Sequence, residues 1–123
     1  MNDRSSLKIW PIEVELKKNE KKLHIEFDDG CFFEYSAEYL RVESPSAEVK
    51  GHGSSQGKII SSCKNIGIES IESVGNYAIR ILFTDHHDTG IYSWDYLYTL
   101  GKTYEEKWCR YLKILEALGL SRD

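Results

Sequence analysis

An α+β fold, an antiparallel β-sheet built from hairpins with C-terminal helices packed on one face, is predicted by three features of the sequence. Apolar residues recur with period two in the early segments and again near residue 80, turn residues sit where those runs reverse, and the last third carries apolar residues at helical spacing.

Along the chain, Ile12, Val14 and Leu16 form the first alternating run, with Pro11 marking its start because proline cannot donate to a ladder. Leu23, Ile25 and Phe27 form the second, and Asp28, Asp29 and Gly30 turn the chain back into "CFFEY", so residues 21 to 35 predict a hairpin. Ser36 is placed to cap a short helix "AEYLRV", which "ESPS" stops because the residue before Pro45 is pushed out of the α region. From Lys50 to Lys64 the chain is rich in Gly and Ser, a composition that suits a loop. A second hairpin follows, "IESIESV" and "YAIRILF" joined at Gly75-Asn76, with Tyr77, Ile79, Ile81 and Phe83 on one face.

Ser93 is the expected cap of helix "WDYLYTL", which Gly101 would end as a C′ glycine. Thr103 and Glu106 have the spacing of a capping box for the last helix. Its stripe of Tyr104, Trp108, Tyr111, Leu112, Leu115 and Leu118 predicts a buried face ending at Gly119.

The 123 residues, 41% hydrophobic and 29% charged, suit one domain spanning 1 to 123. No apolar run is long enough to cross a bilayer, and the N-terminal residues lack the apolar core of a signal peptide, so a soluble cytoplasmic protein without membrane association is expected. Cys31, Cys63 and Cys109 are odd in number and widely spaced, fitting reduced thiols rather than a disulfide framework. A net charge of −4 argues against nucleic-acid binding, and "KKNEKK" suits a solvated loop.

Four features invite chemistry. The glycine-rich "GHGSSQGK" fails the spacing of a phosphate loop, and Ile59 stands where a Ser or Thr should follow Lys58. In "FTDHHDTGIYSW", His86 and Asp88 make the H-x-D half of an iron-binding facial triad, but no histidine lies beyond 87 to complete it in the usual order. His52, Cys63, His86 and His87 remain a candidate zinc or iron ligand set if the fold gathers them. The alternative is a turn built by Asp85 and Asp88, with His86 exposed and His87 tying it to a neighbour. Cys63 beside Lys64 is a candidate nucleophile with a lowered pKa, although an ordinary thiol is the commoner outcome; Cys109 reads as a small packing residue.

"LRVESPSAEVKGHG" and "FTDHHDTGIYSWDYLYTLG", with "WPIEVEL" and "LHIEFDDG" before them, resemble the gamma-butyrobetaine hydroxylase-like N-terminal domain family over residues 8 to 101, leaving 102 to 123 as a C-terminal helix extension. The resemblance implies a free-standing bacterial form without the Fe(II), 2-oxoglutarate-dependent domain that follows it in the eukaryotic hydroxylases. It also implies loss of their structural zinc: where three cysteines would follow Leu40 and Arg41 this chain has "VESPSAEV", although His87 lies near the position of the histidine ligand. Relatives fused to iron–sulfur carrier ATPases imply a role in metal-cofactor assembly.

The leading expectation is therefore a non-enzymatic binding or adaptor domain with a protein partner, in iron–sulfur or other metal-protein maturation. Its contact surface is placed on the 51 to 64 loop and the 85 to 92 turn, with Gly51, Gly53, Tyr92 and Trp94 as partner-binding residues. Metal binding through the histidines and Cys63 is the alternative.

Overall fold

The computed structural model describes residues 9–45 and 63–122. Strands β1 (Pro11–Lys17), β2 (Lys22–Phe27) and β3 (Phe32–Ser36) form one antiparallel sheet in that order, followed by helix α1 (Ala37–Val42). Strands β4 (Ile68–Val74), β5 (Ala78–Phe83) and β6 (Ile91–Ser93) form a second antiparallel sheet, followed by helices α2 (Trp94–Lys102) and α3 (Tyr104–Leu118). The α+β class holds, with the predicted strand at Pro11 beside the first hairpin, but the second hairpin gains a third strand and the strands lie in two sheets instead of one. Strand β6 falls inside the stretch expected to be only a bend.

Both sheets contribute to one core. Leu23, Ile25 and Phe27 of β2 share one hydrophobic cluster with Ile68, Ile79, Ile81 and Phe83 of the second sheet and Leu97 and Leu100 of α2. The alternation is confirmed at these positions, while Ile12 of β1 is exposed. Tyr77 also leaves its predicted face: it precedes β5 and is exposed.

The Ser caps form as predicted. Ser36 Oγ accepts from Tyr39 N at 3.0 Å, and Ser93 Oγ accepts from Tyr96 N at 3.1 Å. Gly119 closes α3 in the left-handed conformation at φ 70°, where a side chain would be strained.

Gly101 does something other than end α2. The helix runs through it to Lys102, and a Cβ there would lie 2.4 Å from the Phe33 ring, so the missing side chain admits β3 against the helix. The capping box at Thr103 does not form: its hydroxyl instead donates to Thr99 O at 2.7 Å, closing α2 rather than opening α3. The stripe on α3 is buried only at Tyr111 and Leu115, while Tyr104, Leu112 and Leu118 are exposed. Beyond the helix, Arg122 forks onto Glu38 of α1 through Nε at 2.9 Å and Nη2 at 2.8 Å. Cys109 is exposed rather than packed.

Four tyrosines sew the two halves together. Tyr35 and Tyr39, from the first, donate their hydroxyls to Leu97 O and Leu100 O of α2, each at 2.7 Å. Tyr92 and Tyr96, from the second, donate to Leu40 O and Glu43 O at the end of α1. Burial raises the pKa of all four well above the usual phenol value, keeping them neutral donors.

Candidate functional site

The histidine-bearing turn after β5 is architecture. Phe83 N donates to His87 O and His86 N to Phe83 O, both at 3.0 Å, and Asp85 Oδ1 accepts from His87 N at 3.2 Å. His86 takes the left-handed conformation, φ 73°, and points its residue surface to solvent. His87 is buried, its Nε2 hydrogen-bonded to Ser44 Oγ at 3.0 Å, so it ties the turn to the end of α1. Gly90 makes that contact possible, because a Cβ there would lie 2.4 Å from Ser44 Oγ. Arg41 donates from Nε to Asp85 Oδ2 at 2.9 Å, adding a second tie.

Cys63 is buried beside this cluster, and of its two readings the ordinary thiol fits while the activated nucleophile does not. Removal from water pushes the thiol up to about 11, which the nearby Arg41 guanidinium offsets only in part. At neutral pH the sulfur is therefore a protonated thiol, a poor nucleophile. Among the described residues no three of His, Cys, Asp and Glu are grouped to hold a metal ion. His52, Gly51 and Gly53 lie outside the described residues.

The partner-binding assignments divide. Tyr92 is fully buried and spends its hydroxyl on Leu40 O, so it cannot serve as a surface anchor. Trp94 is half-buried and lines a pocket of about 190 Å³ with Ile9, Trp10, Tyr77, Ser93 and Asp95. The pocket joins three distant segments: the entry to β1, the β4–β5 turn and the first turn of α2.

The backbone under the aromatic walls is held in place. Trp10 is fixed through its backbone, its N–H donating to Asp28 Oδ1 at 3.3 Å and its carbonyl accepting from Asp28 N at 2.8 Å. Trp94 N donates to Tyr77 O at 3.1 Å and its indole N–H to Asn76 O at 3.2 Å. Tyr77 folds back over Gly75, whose added Cβ would meet the ring at 3.1 Å. Trp10 and Tyr77 were not singled out as site residues by the sequence. Their one signal is an aromatic directly beside a strand-starting proline and another directly after a tight turn, where no core face is available.

The family model described as gamma-butyrobetaine hydroxylase-like, N-terminal, matches residues 14–98. The chain belongs to this family. No curated protein matches it. Two solved solution structures are similar to this chain at 38% and 43% identity: one with TM-score 0.81, covering 93% of this chain and 90% of the other, the second with TM-score 0.80, covering 99% and 90%. A crystal structure of a DUF971-family protein of unknown function from Acidithiobacillus ferrooxidans is similar at 28% identity and TM-score 0.63, covering 74% of this chain and 91% of that one. No helix among the described residues of this family member is long and apolar enough to cross a membrane.

Proposed function

We propose that this gamma-butyrobetaine hydroxylase-like domain is a non-catalytic binding module of the cytoplasm that docks a protein partner through the pocket of Trp10, Tyr77 and Trp94. The observation that supports this reading is a concentration of exposed aromatic surface on a rigid frame. Trp10 and Tyr77 are 46% and 55% exposed beside half-buried Trp94, and aromatic anchors around a pocket are what protein interfaces use at their centres. The proposed surface is therefore this pocket, in place of the 85 to 92 turn; most of the 51 to 64 loop lies outside the described residues. The exposed thiol of Cys109 suits a reducing compartment. The family resemblance supplies the first partner class to test, an iron–sulfur carrier ATPase.

A photo-crosslinking residue introduced at Tyr77 in cells tests the reading, with exposed Phe32 as the control position. Expected is a discrete protein adduct at 77, absent at 32 and lost when Trp94→Ala is added. Identical adducts at both positions, or none at 77, would reject it.

A further inference from the structure

The pocket's walls have a property that selects its occupant. Every other Phe, Tyr and Trp ring of the chain is paired with a neighbouring ring, as in the stack of Tyr104 on Trp108 or the edge contacts of Phe27, Phe33 and Tyr98. Trp10, Tyr77 and Trp94 alone have no ring contact and no cation over them among the described residues, and these three line one pocket. An aromatic face carries negative quadrupole charge and attracts a cation. Asp95, on the same wall, makes no ion pair or hydrogen bond with the described residues, in a chain whose net charge is −4.

From this arrangement we infer that the pocket receives an arginine side chain from the protein partner, a specification that rests on the docking function proposed above. A planar guanidinium can lie on an indole or phenol face while its N–H fork reaches a carboxylate. The lysine ammonium is compact and more strongly hydrated, so stripping it of water in a partly open pocket costs more. The positive end of α2 opposes any cation here, but it amounts to roughly half a charge, against the full charge of Asp95. One of its donors, Tyr96 N, is already spent on Ser93 Oγ. The Trp94 indole is held by Asn76 O and the Trp10 backbone by Asp28, which reduces the ordering that opposes binding.

The test titrates the whole protein with three pentapeptides, Gly-Gly-X-Gly-Gly with blocked ends and X arginine, lysine or norleucine, while NMR follows the three indole N–H signals. The arginine peptide is expected to shift Trp10 and Trp94 but not Trp108, with a dissociation constant on the order of millimolar and about tenfold tighter than norleucine, lysine falling between. Asp95→Asn, which removes no described contact, is expected to weaken arginine binding by roughly threefold and leave norleucine unchanged. No shift of Trp10 and Trp94 at roughly 20 mM arginine peptide, norleucine matching arginine, or lysine matching or exceeding it would overturn the inference. A partner adduct at position 77 without arginine preference would sink this inference alone; no adduct at 77 would sink the docking reading beneath it.

Discussion

The domain uses its aromatic residues in two opposite ways. Tyr35, Tyr39, Tyr92 and Tyr96 are turned inward, their hydroxyls committed to carbonyls across the junction of the two halves. Trp10 and Tyr77 are turned outward, and Trp94, which packs one side on the core, lines the same pocket with them. A buried tyrosine that meets a carbonyl stabilises, because both polar groups keep a partner out of water. An uncovered ring adds little to stability, so the two sets respond differently to substitution.

The largest contrast is expected between Tyr92→Ala and Trp10→Ala. Removing Tyr92 empties a fully buried site and strands Leu40 O, costing about 4 kcal/mol, whereas Trp10→Ala costs about 1 kcal/mol or less. Urea midpoints of the two variants measure the gap directly; equal losses would erase the distinction. Next comes Gly101→Ala, whose Cβ meets the Phe33 ring at 2.4 Å and should cost about 2 kcal/mol by overpacking. A C′ glycine would also resist alanine, so Phe33→Ala in the same background separates the causes: partial rescue identifies the close approach. Tyr35→Phe, which removes a buried second hydrogen bond to the helical carbonyl of Leu97, is expected to cost about 1 kcal/mol, against a few tenths for Tyr77→Phe.

The pH dependence sharpens the same contrast. The clamp tyrosines have folded pKa values raised above the unfolded value of 10.0, so above that pH the unfolded chain releases protons that the folded chain retains. Their contribution is complete below about pH 10 and declines above it, at about 1.4 kcal/mol per pH unit for each tyrosine. Tyr35→Phe should flatten that decline, as read by denaturant midpoints between about pH 9 and 11; Tyr77→Phe should not. The smallest effect concerns thiols. At pH 8, iodoacetamide is expected to modify exposed Cys109 readily and buried Cys63, held up at about 11, only on unfolding. Mass spectrometry showing Cys63 labelled first would contradict its burial.

What the sequence made legible was local. Ser36, Ser93 and Gly119 act where they stand in the chain, and β2 and β5 alternate because one face is buried against the core. His87 in a polar turn suits a turn holder as well as a metal ligand, and its bond to Ser44 has the first character. The failures are non-local. Gly101 looks like a helix stop until Phe33 is known to lie against it, and Thr103 looks like a cap until Thr99 O claims its hydroxyl. Tyr92 and Trp94 are near neighbours in an aromatic run, yet one faces the core and the other the pocket because strand β6 ends between them. The pocket draws on segments far apart in the chain, so no window of sequence contains it.

The four tyrosine bonds run in both directions, two from each half onto carbonyls of the other. Polypeptides divided between residues 45 and 63 would therefore each carry donors and acceptors that only the other can satisfy. Such a pair should recombine on mixing and restore the whole, a fragment complementation that places the division of the chain where its mutual dependence is greatest.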